Sequence, residues 1–354
     1  MKKTDTTEAL KISVVVLNWN GREDTLRCLE SLKGVDYPNW EVLVVDNGSE
    51  DGSVTAILKG YPEVTVLEAG RNLGYAGGNN LGIEEALRRG SEFVLLLNND
   101  TTVAPDILRA FARAAAEYRD AGVFGAKIYF FNEPGRLWYA GGRWRTDGKV
   151  AEHEGLGTID NEVDFDRIRD TDYACGCAMF IRSSALSIVG MLDEAFFLVF
   201  EEADWCLRAT KAGFRCLFVP EAKVWHRISA SFGGPGSILY EYFLLRNRLL
   251  WAERHLTLRR RMAVWAHTFG ILCPPLGVLG ALWLFIRGRW SARQTYWEAR
   301  ARAKAWLQGI REPRLRMVRR VRWRAFCDYL LRHFGNCPTW VRTMATRDRH
   351  SRGS

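Results

Sequence analysis

Cysteine pairs at zinc-binding spacing, a Gly-Lys-Ser/Thr phosphate loop and a Gly-x-Gly-x-x-Gly fingerprint are all missing from this 354-residue chain. A zinc module and the two commonest nucleotide-binding loops are therefore set aside. The eight cysteines, at 28, 175, 177, 206, 216, 273, 327 and 337, sit in a chain too large to need a disulfide framework. Reduced thiols in a cytosolic setting are expected. Met1 to Lys11 is polar and charged, with no apolar signal region before the first predicted strand. The working part of the chain is expected to stay in the cytoplasm.

What is present is unevenly charged. From Arg287 onward there are eighteen Lys and Arg against four acids (Glu298, Glu312, Asp328 and Asp348), a net +14. The overall charge is +9, so residues 1–286 carry −5. A mildly acidic body with a strongly basic tail implies an anionic partner, for which membrane phospholipid and nucleic acid are the candidates.

Ile12-Ser13-Val14-Val15-Val16-Leu17 reads as a buried strand ending at Asn18-Trp19-Asn20-Gly21. A helix over about 22–33 follows. Strand 41–45, a helix near 54–58, strand 64–67, helix 79–89 and strand 93–97 then alternate, and helix 105–118 with strand 123–129 extends them. This βαβ rhythm predicts an α/β fold with a mostly parallel sheet flanked by helices. Residues 131–172 read as an irregular region over the site, with a short hairpin at most. Strand 173–180, helix 183–189, a helix around 202–212 and a strand 215–219 ending at Pro220 complete the body, expected to span residues 1–235.

Residues 236–354 read as a helical extension rich in Leu, Arg and Trp. Its 24-residue apolar stretch Ala263–Ile286 is divided by Pro274-Pro275 and interrupted by His267. Each half is too short to cross a bilayer, and a single span would put the basic tail on the far side. An interfacial hairpin at 263–286, with the tail on anionic headgroups, is expected. A buried helical pair is the ordinary alternative.

In a parallel sheet, ligands lie beyond the carboxyl ends of the strands. Two predicted strands end there in acids: Val44-Val45-Asp46, followed by Asn47-Gly48-Ser49, and Leu96-Leu97, followed by Asn98-Asn99-Asp100. That placement suits a nucleotide and its metal-bound phosphates. Between strand and helix lies Asn72-Leu73-Gly74-Tyr75-Ala76-Gly77-Gly78-Asn79-Asn80-Leu81-Gly82, whose glycines would let backbone approach a ligand. Glu201, Glu202 and Asp204 open a helix; they either match its dipole or supply a general base. His226 follows a strand and is either structural or the completion of a metal site.

In order and spacing, Val16–Gly21, Val45–Ser49, Asn72–Gly82, Asn98–Asp100, Phe196–Arg208 and Val219–His226 together resemble family 2 glycosyltransferases of the GT-A fold. The likeness covers about residues 11–250 and is nearest to the bacterial rhamnosyltransferase-type branch. It implies that Asn18, Asn20 and Asp46 hold the nucleotide, with Asn47 and Ser49 shaping the loop. Gly77, Gly78, Asn80 and Asn99 would line the donor pocket. Asp100 would bind Mg²⁺ or Mn²⁺, with His226 as a further ligand. Glu202 would be the base, with Glu201 or Asp204 as substitutes. Arg246 and Asn247 would meet the diphosphate of the donor or of the acceptor. Two departures stand out: Asn98 replaces the first Asp of Asp-x-Asp, and Glu202 the commoner Asp.

The resemblance implies a nucleotide-sugar donor, with L-rhamnose from dTDP-rhamnose the best guess and galactofuranose or a hexosamine the alternatives, and a lipid-diphosphate-linked sugar acceptor, with polyprenyl phosphate itself the alternative. The basic tail then lies on an anionic membrane surface, at the cytoplasmic face of the plasma membrane. Nucleic acid is not an expected partner, because a nucleic-acid reader would carry its basic surface on the folded body.

Overall fold

The structure, a computed structural model, describes residues 9–145, 150–161, 163–228, 236–273 and 312–352. The described chain divides into two compact units, Met1–Arg143 with His153–Ser231, and Trp144–Glu152 with Phe232–Ser354.

The first unit is built on a ten-stranded sheet of order β10-β12-β6-β11-β4-β1-β2-β3, with β5 on β12 and β7 on β6. Its strands are β1 (Ile12–Asn18), β2 (Trp40–Asp46), β3 (Thr65–Glu68), β4 (Phe93–Asn98), β5 (Thr101–Val103), β6 (Ala121–Phe130), β7 (Glu133–Tyr139), β10 (Arg169–Asp170), β11 (Ala178–Arg182) and β12 (Arg215–His226). A separate pair joins β8 (Gly142–Trp144) to β9 (Ala151–His153). Helices α1 (Arg22–Leu32), α2 (Ser53–Gly60), α3 (Gly74–Arg88), α4 (Ile107–Glu117), α5 (Ser183–Val189) and α6 (Glu201–Lys211) connect them. The apolar runs of β1 and β4 are buried along almost their whole length, as strands covered on both faces must be.

The α/β alternation appears as expected, but the sheet is mixed rather than mostly parallel. β3, β2, β1 and β4 run parallel, and β12 runs parallel to β6. β11 lies antiparallel between β4 and β6. Between β6 and β11 the chain passes through β7, antiparallel to β6, and β10, antiparallel to β12, before β11 enters between β4 and β6.

Three boundaries also differ. The glycine-rich segment is not a loop before a helix, because α3 starts at Gly74. Residues 131–172 contain strands β7 to β10. β12 continues past Pro220 to His226, with its register against β6 slipping between Val219 and Lys223. The slip accommodates the proline, which has no N–H for a ladder.

The second unit contains α7 (Ile238–His255), α8 (Leu258–Leu272), α9 (Pro313–Leu330) and α10 (Thr339–Arg352). Ser237 caps α7 by accepting from the Tyr240 amide at 3.2 Å. Trp265 and Phe269 of α8 meet Phe326 of α9 at ring separations of 5.6 and 5.4 Å. The first part of the expected apolar hairpin is thus the end of a helix, while residues 274–286 lie outside the described residues. Among the described residues, no helix is long and apolar enough to cross a membrane.

Candidate active site

The parallel register itself assembles the nucleotide end of the site. Asn18 pairs with Asp46 across β1 and β2, Asp46 with Glu68 across β2 and β3, and Leu17 with Asn98 across β1 and β4. All these residues emerge at one edge. Asn18, fully buried, is the hub of that edge. Its Nδ2 donates to Asp46 Oδ1 (2.8 Å) and Ser49 Oγ (3.1 Å). Its Oδ1 accepts from Thr25 Oγ1 (2.8 Å), the Gly21 amide (3.2 Å) and Asn99 Nδ2 (3.3 Å). Asn99 also donates to Thr25 Oγ1 at 2.9 Å. A Cβ on residue 21 would overlap Asn99 Nδ2 and so would displace that amide from the network.

Asn20 is the exposed member of this group. It takes the left-handed conformation (φ 50°), its amide donates to Ser49 Oγ, and its Oδ1 accepts from the Glu50 amide, both at 2.8 Å. Asp46 Oδ2 accepts from the Ser49 amide at 2.9 Å. Asp46, Asn18, Asn20 and Ser49 therefore form one rigid polar cradle.

Asn47, Gly77, Gly78 and Asn80 have packing tasks that the sequence did not disclose. Asn47 bridges to the next loop, donating to Gly74 O (3.0 Å) and Asn72 Oδ1 (3.2 Å) and accepting from the Leu73 amide (2.8 Å). Asn80 clips the backbone of Leu192, donating to its carbonyl at 2.9 Å and accepting from its amide at 3.0 Å. A Cβ on residue 78 would overlap Leu17, and one on residue 82 would overlap Val15. One on residue 77 would press on Leu73 at 2.9 Å. Gly78 and Gly82 thus let α3 lie tight against β1.

At the other end, antiparallel pairing of β5 with β12 sets Thr101 opposite His226. Asp100 thereby meets the imidazole: its Oδ1 lies 3.1 Å from His226 Nε2, both side chains being nearly buried. The alignment is not that of a hydrogen bond, and both Asp100 Oδ1 and His226 Nδ1 are left without one. The His226 ring stands edge-on to Trp138 at 4.7 Å, and His153 meets the same indole at 4.6 Å. Burial pushes the His153 imidazole down to about 4, so it packs as a neutral ring.

The acid cluster opens α6. The loop before it holds three non-glycine residues in the left-handed region, Phe197, Val199 and Phe200. Such conformations cost about 1–3 kcal/mol each and persist only where their surroundings impose them. The start of α3 holds the first of them: the Tyr75 amide donates to Phe197 O at 2.6 Å, and Gly74 (φ 77°) has no room for a side chain beside that carbonyl.

The three carboxylates are not equivalent. Asp204 is held by Arg208 Nε at 2.7 Å, while the same guanidinium donates to Val189 O (2.7 Å) and Met191 O (2.8 Å). Glu201 is buried, and its carboxyl is held well above the ordinary range by burial and by Glu202. Glu202 is half-buried, and burial raises its carboxyl too. Glu201 Oε2 and Glu202 Oε2 are both enclosed without a hydrogen-bond partner. Glu202 alone is partly open to solvent and free of an ion pair, which suits a proton acceptor.

Residues 175–177 join the two ends. Cys177 O accepts from the Asn98 amide at 2.9 Å, beside the Asp100 shelf. Gly176 O accepts from the Tyr75 hydroxyl, and a Cβ on residue 176 would lie 2.9 Å from that oxygen and 3.6 Å from Glu202 Cβ. Asp46, Asp100, His226 and Glu202 are thus arrayed along one edge of one sheet.

The family model for glycosyl transferase family 2 matches residues 13–188, which include this edge up to the loop before the acids. The chain belongs to glycosyltransferase family 2. It is 27% identical over 283 residues to an N-acetylglucosaminyl-diphospho-decaprenol L-rhamnosyltransferase of Mycobacterium tuberculosis, covering 72% of this chain and 92% of the relative. It is 23% identical over 220 residues to the dTDP-rhamnosyl transferase RfbF of Shigella flexneri, covering 61% of this chain and 69% of the relative. Among solved structures, a mannosyltransferase from Pyrobaculum calidifontis in complex with GDP-Man and Mn²⁺ matches with TM-score 0.53 at 16% identity, covering 92% of this chain and 88% of that one. GalNAc-T7 with UDP, GalNAc and Mn²⁺ matches with TM-score 0.55 at 18% identity, covering 70% of this chain and only 48% of that longer one. The fold of this glycosyltransferase is therefore mixed α/β and GT-A-like.

Asp100 and His226 fit a divalent cation. They bring a carboxylate and an imidazole Nε2 within 3.1 Å without an aligned hydrogen bond, and Asp100 Oδ1 is buried with no hydrogen-bond partner among the described residues. Among the described residues no set of three or more His, Cys, Asp and Glu gathers to hold a metal. Two protein ligands would leave most coordination positions to substrate oxygens and water, as is usual for Mg²⁺.

In the helical unit of the glycosyltransferase, Arg246 and Asn247 are fully buried on α7. Arg246 donates to Asn247 Oδ1 (2.9 Å) and Gly335 O (2.6 Å) and packs on Tyr242 and Phe243. Arg246 therefore has a structural task within that unit. Sequence reasoning missed Thr25, Tyr75, Trp138 and Arg208. Only Arg208 carried a signal, lying one helical turn after Asp204.

Proposed function

We propose that this glycosyltransferase moves L-rhamnose from dTDP-rhamnose to a lipid-diphosphate-linked glycan, with inversion, at the cytoplasmic face of the plasma membrane. The observation that carries the transfer reading is the pairing, along one sheet edge, of an Asp100–His226 shelf with a half-buried, uncompensated Glu202. The names of the mycobacterial and Shigella relatives support the sugar, and the former supports the lipid diphosphate.

The chemistry divides among these residues. Asn18, Asp46 and Ser49 hold the nucleoside in a cradle that is already ordered, so little is lost in organising it on binding. A divalent cation, when bound by Asp100 and His226, neutralises charge developing on the departing diphosphate. Glu202 accepts the proton of the attacking hydroxyl, and its raised carboxyl makes it a stronger base than an exposed glutamate. A single base with no separate nucleophile implies one displacement and an inverted anomeric centre. Gly176, whose carbonyl accepts from the Tyr75 hydroxyl, lies beside the Glu202 side chain.

The membrane reading is supported by the basic tail and by apolar side chains exposed on α8, notably Leu258 and Met262. Basic and apolar surfaces together favour an anionic interface.

The test is turnover of UDP-, dTDP- and GDP-sugars by the purified chain, with and without Mn²⁺. Preference for dTDP-rhamnose is expected. Preference for another donor overturns the rhamnose assignment, and inertness toward every donor overturns the transfer reading.

A further inference from the structure

Metal-binding imidazoles normally give their second ring nitrogen to a carboxylate, a carbonyl or a water, and that hydrogen bond fixes the ring. In His226 the nitrogen beside Asp100 is Nε2, at 3.1 Å, so an orienting partner would have to bond Nδ1. Nδ1 is enclosed and has no hydrogen-bond partner among the described residues. The contact with Asp100 is not aligned as a hydrogen bond and does not fix the plane of the ring either.

What meets the ring is the indole of Trp138, at 4.7 Å with 73° between the planes, the edge-to-face geometry that aromatic pairs favour. That indole is itself held in place. On β7 the flanking Leu137 and Tyr139 are buried, and Trp138 projects from the opposite side of the strand. Its carbonyl accepts from His153 Nδ1 at 3.3 Å, and the His153 ring stands edge-on to the indole at 4.6 Å. A carbonyl only accepts, so His153 carries its proton on Nδ1. The chain around β7 is also tied to β12. Trp225 Nε1 donates to Pro134 O at 3.2 Å, and the Phe131 amide donates to His226 O at 3.0 Å.

We infer that Trp138 is a positioning residue for the transfer reaction: its indole, braced by His153, holds the His226 imidazole with Nε2 toward Asp100. Packing thus takes the place of the hydrogen bond that Nδ1 lacks. The inference rests on the reading of Asp100 and His226 as a shelf for a divalent cation. A ring aimed by packing alone loses its aim when the packing is removed, although both side chains of the shelf remain.

The experiment titrates the purified full chain with Mn²⁺ by calorimetry, without nucleotide, in wild type, Trp138→Leu, His226→Ala and the double variant. Trp138→Leu should bind Mn²⁺ about tenfold more weakly, the low end of what the partners of metal ligands contribute. In the His226→Ala background the same substitution should change nothing further, because a residue that acts through the imidazole has no effect once the imidazole is gone. Losses that add in the double variant overturn the inference, as does wild-type affinity in Trp138→Leu. Trp138→Phe guards against a Leu variant that fails to fold. It keeps an aromatic ring and should lose less affinity, again only where His226 is present, and a loss that persists without His226 overturns the inference. Turnover gives a second readout: the kcat lost in Trp138→Leu should return as Mn²⁺ is raised to saturation, and a deficit that persists at saturation overturns the inference. Failure of the cation reading looks different. Full Mn²⁺ affinity in His226→Ala takes the histidine out of the shelf and overturns both, whatever Trp138 does.

Discussion

Glu202→Gln is the substitution that tests the proposed chemistry most directly. The amide keeps the length and nearly the shape of the side chain, so Gly176 and Tyr75 should keep their places beside it. Only the ability to accept a proton disappears. A positioned general base contributes about 10²–10⁴ in rate, so kcat should fall at least about a hundredfold. Stability should hold or improve, because the carboxyl that is lost was buried with one oxygen unsatisfied. Nucleotide binding should also survive, since the Asn18 and Asp46 cradle is held by separate hydrogen bonds. The assay is transfer from dTDP-rhamnose to a lipid-diphosphate-linked sugar, with nucleotide affinity measured alongside by calorimetry. The acidic limb of the wild-type pH profile should lie above the ordinary glutamate range, following the raised carboxyl. A Gln variant that transfers within a few-fold of wild type would refute Glu202 as the base, and Glu201 would inherit the role.

Other consequences can be checked on the same preparations. Folding favours protonated Glu201, so its contribution to stability is complete below the ordinary carboxylate range and is lost as pH rises through the raised value. Glu201→Gln should therefore melt progressively higher than wild type as pH goes from about 5 to about 8, and parallel melting curves would contradict this. Asn18→Ala strands the buried partners Asp46, Thr25 and Asn99 and should cost about 2–4 kcal/mol, read in urea melts, with nucleotide affinity falling as well. Gly82→Ala gains about 1 kcal/mol of helix propensity but forces a methyl into Val15, a clash worth about 1–3 kcal/mol. A net loss is expected, and a more stable variant would show that α3 can lift off β1. Asp100→Ala should weaken Mn²⁺ binding measured by calorimetry without nucleotide, and undiminished binding would place the cation elsewhere.

The parallel half of the fold was legible because its signals are local. Apolar runs such as Val14-Val15-Val16 end in Asn18 and Asp46, and parallel register then aligns those ends without further information. The reversed strand β11 was not legible, since its direction depends on where residues 131–177 travel rather than on its own composition. Candidate residues that speak through spacing, Asp46, Asp100 and the acids at 201–204, could be placed at strand and helix ends from the sequence. Trp138 could not, because its contact with His226 joins two strands far apart in the chain. The glycines misled in a specific way. Gly78 looked like a place for a ligand to approach, but the group that approaches it is Leu17.

The slip in β12 has an evolutionary consequence. Between Val219 and Lys223 the strand spends Pro220, Glu221 and Ala222 outside its pairing with β6, and only then brings His226 opposite Thr101. Insertion or loss of one residue in that detour would turn the imidazole to the opposite face of the sheet. Drift in the length of this short segment should therefore be tolerated far less than drift in its residue types, and an alignment that opens a gap there would assign the histidine to the wrong position in a relative.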